Sequence, residues 1–493
     1  MVKRGSLYGY WVEFNMSDKL SIRNPRTGRH DYEIVVTAAE EITALTKRMR
    51  VAQKSWRNMG LDYRVSVLEK LKTSVANNRI GLINALSADT GRLYISVAEV
   101  GGIANAIDRW VAVARADKEP ETKNSVALPF IEYRSEKEPY ALVGAISPWN
   151  FPMTLSMIDA LPAMLSGGTA IIKPSEVTPR FAQPMRKAIS EVEELKDILH
   201  IIDGDGVTGA ALIEHVDMVC FTGSVATGRM VAEAAARSFI PSILELGGKD
   251  PAIVLEDADV ERAATSLLRA SIVNTGHACQ SIERIYVHKN LYGEFVKKIT
   301  EKAKSVKLNY PDLKSGHIGP IIFDRQADII KAQLADAVAK GAMVHTGGEI
   351  EHHGGGLWCR PTVLTNVNHK MTIMQDETFG PIMPIMPFED DEEALKLAND
   401  TIFGLSGSVY SQDLVHANEV AMKIDAGGIS INEGSLTGFM HEAEKNSFKS
   451  SGMGESRMGP AGYHRFFRKK AIMTNMGDAF PIEAFDEKNA NFP

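Results

Sequence analysis

Between Tyr140 and Leu246 the chain alternates short apolar, β-rich runs with helical ones, and this leaves few folds open. Strand-like runs at 141–146, 170–173, 199–202, 218–221 and 242–246 are separated by helical runs near 155–166, 180–194 and 226–238, with one short helix between the third and fourth strands. Strands joined through helices lie parallel, and the helices cover the faces of the sheet. A second block of the same character runs from Ala252 to about Ile431, with 327–340 and 392–399 helical. The chain is therefore expected to be α/β.

The flanking parts read differently. Residues 1–36 look like an arm of short strands and turns, with Asn24-Pro-Arg-Thr-Gly28 as a turn. Helical periodicity covers 38–58, 62–77 and 95–115, with Asp62 and Asp89 as caps or first-turn charges. From Lys118 the pattern breaks into a loop, and Phe130 to Glu138 alternates as a strand does.

At 493 residues the chain can bury a large core in two or three domains. Its net charge of −7 argues against a polyanion-binding surface, so nucleic acid is not an expected partner. Three cysteines build no disulfide framework and suit a reducing compartment. The first twenty residues have no signal-peptide core, and no apolar run is long enough to span a membrane. The expected location is cytoplasmic.

The cysteines differ in setting. Cys220 lies in an apolar strand-like run, and Cys359 sits at a strand edge. Cys279, in Asn274-Thr-Gly-His-Ala-Cys279-Gln-Ser, occupies a Gly- and polar-rich turn where a thiol is reachable. Glu245 ends a β-rich run before Gly247 and Gly248, and Asn150 ends another between Pro148 and Pro152. Alone, the glutamate is most often a loop charge and the asparagine a turn former.

Together these stretches resemble the aldehyde dehydrogenase superfamily. The matches are Pro148-Trp149-Asn150-Phe-Pro152, Lys173-Pro-Ser175-Glu176, Phe221-Thr222-Gly223-Ser224, Glu245-Leu246-Gly247-Gly248, Cys279, and Glu377-Thr-Phe379-Gly-Pro381. They stand in the family's order at about its spacings, from roughly residue 20 to residue 470. The resemblance implies a Rossmann-like cofactor domain (1–117 and 140–246), an α/β catalytic domain (247–445), and a small β element for oligomerisation or bridging (118–139 and 446–493). A homodimer or homotetramer is implied, with the 118–139 hairpin pairing across subunits.

Gly204-Asp-Gly206-Val-Thr-Gly209 matches the usual dinucleotide fingerprint, but only about eight residues separate Gly209 from the next strand. A better pyrophosphate site is Phe221 to Gly228, which follows a buried strand and opens a long Ala-rich helix at Ser224. The resemblance agrees. It places Lys173 and Glu176 on the adenosine ribose and Glu377 with Phe379 around the nicotinamide ribose. Ile146, Ser147, Pro148, Trp149, Ser175, Gly206, Phe221, Thr222, Gly223, Thr227, Leu246 and Gly247 complete the implied cofactor contacts. A carboxylate at Glu176 suits a ribose 2′-OH and repels a 2′-phosphate, so NAD is expected over NADP.

An aldehyde gives up hydride once it carries a tetrahedral oxyanion centre, which a thiolate provides by addition. In the resembled family's chemistry Cys279 is the nucleophile, Glu245 the base that activates water, and the Asn150 amide with the Cys279 N–H stabilise the oxyanion. His277 need not face the sulfur. His352-His353 in a Gly-rich loop reads as a solvated turn, and no metal is expected. Where family members commonly carry Pro-Phe-Gly-Gly before Lys-x-Ser-Gly, this chain has Glu444-Lys-Asn-Ser-Phe-Lys-Ser-Ser-Gly452, and Gly454-Glu-Ser-Arg457 replaces Gly-Arg-Glu. Phe151, Leu155 and Ile158 make the other funnel wall apolar, and no arginine cluster stands beside Asn150 or Cys279. An apolar or aromatic aldehyde is expected ahead of a semialdehyde acid. The alternatives are a CoA-acylating dehydrogenase, against which Glu245 argues, and a non-catalytic NAD-binding descendant, against which the intact Cys279, Glu245 and Asn150 argue.

Overall fold

The computed structural model describes residues 2–7, 10–15 and 18–490; the parts of the expected N-terminal arm at 1, 8, 9, 16 and 17 lie outside the described residues. Two antiparallel hairpins open the chain, β1–β2 (Val2–Leu7, Tyr10–Asn15) and β3–β4 (Lys19–Arg23, His30–Val35). Four helices follow: α1 (Ala39–Asn58), α2 (Gly60–Asn77), α3 (Arg79–Thr90) and α4 (Leu93–Ala116). α3 was not expected, and it corrects the reading of Asp89. That residue lies in the last turn of α3, buried, and its carboxylate accepts from Arg180 N (2.7 Å) and Nε (2.6 Å). It fastens α3 to the chain at Arg180 rather than capping a helix.

The next stretch is β5 (Lys123–Asn124), β6 (Ile131–Pro139), β7 (Leu142–Ile146), α5 (Pro152–Ser166), β8 (Thr169–Lys173), α6 (Ala182–Ser190), β9 (Leu199–Ile201), α7 (Gly206–Ile213), β10 (Met218–Thr222), α8 (Val225–Arg237) and β11 (Ser242–Glu245). The helix expected over 180–194 is shorter because a 3-10 turn at Glu193–Leu195 ends the run. Strands β11, β10, β7, β8 and β9 form a parallel sheet in that order. β7, β8 and β10 are apolar almost throughout because both faces are covered. Trp110, Met157 and Leu161 pack one face, and Ile42, Met49 and Val231 the other. The register pairs Ile146 with Lys173 and Phe221, and Thr222 with Glu245. Four strand ends therefore open onto one edge, where parallel sheets bind their ligands.

The second sheet comes from β12 (Asp250–Val254), α9 (Val260–Ile272), β13 (Ile282–His288), α10 (Lys289–Ser305), α11 (Asp324–Ala339), β14 (Met343–Thr346), β15 (Ile350–His353), β16 (Gly356–Cys359), β17 (Thr362–Thr365), α12 (Thr372–Gln375), β18 (Ile382–Phe388), α13 (Asp391–Asn399), β19 (Phe403–Gly404), β20 (Ser406–Tyr410), α14 (Leu414–Ala421) and β21 (Gly428–Ile431). Its order is β14-β17-β18-β13-β12-β20-β21, parallel except for β14. His352 and His353 are not a solvated turn: they end strand β15, and His353 Nε2 meets Glu351 at 2.7 Å while its ring stacks on Tyr310.

The chain finishes with β22 (Phe448–Lys449), β23 (Gly452–Met453), α15 (Ala461–His464) and β24 (Phe467–Asn475). β22 pairs with β19, β23 adds an antiparallel edge to β11, and β24 joins β6 and β5 in a three-stranded sheet. A short stretch thus touches both halves of the molecule.

Candidate active site

Cys279 follows a kink. α9 ends at Ile272, and Asn274, Thr275 and Gly276 then take φ of 59°, 61° and 74°. Gly276 has no alternative there, since a Cβ would collide with the Gly380 carbonyl. The two strained non-glycine residues are held by hydrogen bonds. Asn274 Nδ2 donates to Asn150 O (2.9 Å) and His277 O (2.8 Å), Arg92 Nη1 donates to Asn274 O (2.8 Å), and Thr275 Oγ1 donates to Gly319 O (3.2 Å).

Asn150 belongs to the same network. Its Nδ2 donates to His277 O (3.0 Å), which uses one of its two amide hydrogens and leaves the other for a ligand. Glu99 holds the start of α5 behind it, accepting from Met153 N (3.1 Å) and Thr154 N (2.9 Å). The His277 ring is fully buried between Trp149 (5.2 Å) and Phe379 (5.9 Å), with both nitrogens unpartnered. Burial and Arg92 keep it well below its ordinary pKa, so it is a neutral packing element.

Glu245 closes β11 at the shared edge. Its Oε2 accepts from Ser447 Oγ (2.8 Å) and lies 4.0 Å from Lys445 Nζ. The glycines after it admit two neighbours: a Cβ on Gly247 would stand 2.5 Å from Glu377 Oε2, and one on Gly248 would stand 2.5 Å from Cys279 O. Glu377 Oε1 accepts from Gly248 N (3.1 Å), and burial with nearby Glu283 pushes its carboxyl up to about 8.

All three thiols are pushed up to about 12, in each case first by burial. Cys220 and Cys359 are inaccessible throughout, whereas Cys279 as a residue keeps partial access. The expected contrast in access is present, with only the Cys279 residue keeping partial access, while burial still pushes its thiol up. After burial, Glu245 is the largest influence on Cys279, with Asp250 and Glu377 adding to it and Lys445 opposing.

The cofactor candidates line the same edge. Lys173 and Glu176 pair with each other at 3.1 Å, and Ser175 Oγ accepts from Val177 N (3.2 Å). Ser147 Oγ meets Ser156 Oγ at 2.6 Å, beside Pro148 and Trp149. Ser224 caps α8, its Oγ accepting from Thr227 N (3.2 Å) and donating to Thr227 Oγ1 (3.0 Å). Phe221 lies under Gly223, Leu246 packs against Gly228 in the first turn of α8, and Gly223 N donates to Glu245 O (3.1 Å). Ile146 lies against Gly209 of α7, whose N-terminal residue is Gly206. That helix already carries an anion, because Asp205 Oδ1 accepts from Val207 N (2.9 Å), which disfavours a phosphate there. The α8 end has only a neutral cap and faces the shared strand edge, so the donor set suits a dinucleotide pyrophosphate at Ser224.

Several neighbours of the site were not anticipated. Lys249 and Glu283 form a buried pair at 2.7 Å that holds the Glu377 loop through Thr378 N and Phe379 N, each 2.7 Å from the Glu283 carboxylate. Arg457 Nη2 donates to Thr222 Oγ1 (2.7 Å) and Asp159 (2.9 Å), and Arg465 also pairs with Asp159. Cations therefore do reach the surroundings of Cys279, but from chain segments far away in sequence. Their only sequence trace was the departure of 444–457 from the family pattern. Among the described residues, no three His, Cys, Asp or Glu side chains are grouped to hold a metal, and no helix is long and apolar enough to cross a membrane.

Residues 11–472 match the Aldehyde dehydrogenase family. A Mycolicibacterium smegmatis protein provisionally named succinate-semialdehyde dehydrogenase [NADP(+)] is 34% identical over 91% of this chain and 87% of its own length. The solved structure of PutA from Anabaena variabilis is 50% identical, with a TM-score of 0.92 over 94% of this chain and 99% of that one. Betaine aldehyde dehydrogenase from Staphylococcus aureus, solved with NAD+, is 30% identical, with a TM-score of 0.88 over 96% and 95% of the two chains.

Proposed function

The chain belongs to the aldehyde dehydrogenase family, and from that premise we propose that it oxidises an apolar or aromatic aldehyde to the carboxylic acid, with NAD as cofactor and Cys279 as nucleophile. The observation that carries this reading is the meeting of Cys279 with Glu245, the leading charge on its thiol, beside an Asn150 amide that has one hydrogen to spare. The Cys279 thiol gives up its proton to solvent, and the sulfur adds to the carbonyl carbon as the π electrons move to the oxygen. The second Asn150 N–H and the Cys279 N–H hold the oxyanion, each such donor being worth about 10²–10³ in rate. A bound nicotinamide dinucleotide supplies the hydride acceptor. Collapse of the oxyanion leaves an acyl group on Cys279. Glu245 takes a proton from the water that attacks this thioester, and departure of the acid restores the thiol.

For the cofactor, the Ser224-capped end of α8 would take the pyrophosphate, Lys173 and Glu176 the adenosine ribose, and Glu377 with Phe379 the nicotinamide ribose. The exposed Glu176 carboxylate supports NAD; its pairing with Lys173 and the NADP(+) in the Mycolicibacterium smegmatis protein's name weigh the other way. Phe151, Leu155 and Ile158 on or beside α5 support an apolar substrate. We read 1–117 with 140–246 as the cofactor domain, 247–445 as the catalytic domain, and the sheet of β5, β6 and β24 as the oligomerising element of a cytoplasmic homodimer or homotetramer.

The test is Cys279→Ser, assayed by NADH absorbance on an aldehyde panel. Turnover is expected to vanish while NAD still binds. Cys220→Ser and Cys359→Ser are expected to keep the chemistry. Retention of more than a few per cent of the rate by Cys279→Ser overturns the assignment.

A further inference from the structure

Counting back from Lys449-Ser-Ser-Gly452, Lys445 stands where the resembled family commonly has the phenylalanine of Pro-Phe-Gly-Gly. Its side chain is 6% exposed, and its ammonium lies 4.0 Å from Glu245 Oε2, beyond hydrogen-bond length. Among the described residues that ammonium donates no hydrogen bond to a protein group. The stem runs past Gly428, where a Cβ would come within 3.0 Å of Lys445 Cδ, and the backbone is pinned by Lys445 N donating to Ser456 Oγ (3.0 Å). The position of the side chain is therefore fixed by its packing.

The surroundings supply a reason for it. Glu245 on β11 raises the Cys279 thiol most after burial, and Asp250 on β12 and Glu377 on the loop before β18 add to it, although burial pushes those two carboxyls themselves up to about 8. On the other side of Glu245, Arg457 is occupied by Asp159 and Thr222. Lys445 and Arg457 both act on Glu245 and Cys279, but Arg457 is held by Asp159 and Thr222, whereas Lys445 stands 4.0 Å from the Glu245 carboxylate oxygen that Ser447 of the same segment fixes.

We propose that Lys445 is a positioning residue for the oxidation: its ammonium holds the Glu245 carboxylate beside Ser447 and offsets the charge of that carboxylate at Cys279, so that the thiolate can form beside it. The inference rests on the reading of Cys279 as nucleophile and Glu245 as base. A lysine that merely fastened the C-terminal segment to β11 would affect stability without changing the ionisation of the thiol.

The experiment is alkylation of the full-length protein by iodoacetamide across pH, read by mass shift on the peptide containing Cys279, with thermal melting and NAD binding as controls. Lys445→Met is expected to displace the rising limb of the Cys279 profile to higher pH by about one unit, a tenfold lower rate at each pH. Lys445→Arg is expected to return it towards that of the unsubstituted protein. Lys445→Phe, which restores the family's common residue, is a second neutral variant and should behave as Lys445→Met. Unchanged profiles in the folded neutral variants, with turnover still abolished by alkylation, overturn the role of Lys445 alone. Turnover that survives complete alkylation of Cys279 overturns the nucleophile reading beneath it.

Discussion

Replacing Glu245 by Gln should push two steps in opposite directions. The amide keeps the shape and an oxygen that can accept from Ser447 Oγ, so the local geometry is preserved. What disappears is the largest charge opposing the Cys279 thiolate. Burial and Glu245 push the thiol up, and removal of one close like charge should lower it by about one to two pH units. Iodoacetamide should therefore label Cys279 about tenfold faster in Glu245→Gln at pH 8 if the thiol ionises to solvent. Thioester hydrolysis loses its base and should slow by about 10²–10⁴-fold. Rapid mixing with NAD and aldehyde should then show a burst of NADH, at most one per site, before a slow steady state, and the acyl group should appear as a mass shift on the Cys279 peptide. Slower labelling together with no burst would refute the electrostatic argument and make Glu245 the base that generates the thiolate. Normal turnover would make it a loop charge.

Other outcomes follow from the cofactor edge and the buried arginines. Glu176→Gln removes the carboxylate that repels a 2′-phosphate and frees Lys173, so the ratio of kcat/KM for NAD over NADP should narrow without reversing; an unchanged ratio, or an NADP preference before substitution, would place the carboxylate away from the 2′ position. Asp159→Asn leaves Arg457 and Arg465 buried without their shared carboxylate, at a cost of about 3–5 kcal/mol, and a melting temperature lowered by less than about 2 °C would refute the pairing.

The parallel strands between Tyr140 and Leu246 were legible because a strand covered on both faces reads as a short unbroken apolar run, and the helices between them keep their own period. α3 was not, because its buried side includes Ser87, Asp89 and Thr90, which blurs the apolar stripe that periodicity relies on. The polar turn at Cys279 suggested exposure, and the turn is packed by groups brought in from elsewhere: Gly248 against the Cys279 carbonyl, and Trp149 and Phe379 around the His277 ring. Since burial raises all three thiols alike, placement beside Glu245 and Asn150 distinguishes Cys279, rather than its acidity. Lys445 and Ser447 meet Glu245 across 202 or so residues of chain, a separation at which no local pattern carries information.

The edge pairing of β23 with β11 also bears on how the protein is made. During synthesis the strand that ends in Glu245 emerges with one side bare, and its covering strand comes only with Gly452 and Met453. Until then a nearly complete parallel sheet presents an open edge, the kind of surface that recruits foreign strands. Closing so distant a contact is slow relative to local folding. The active site and the protected edge thus arrive in the same late event, and a chain released before the Gly452 codon is read would be both inert and prone to aggregate.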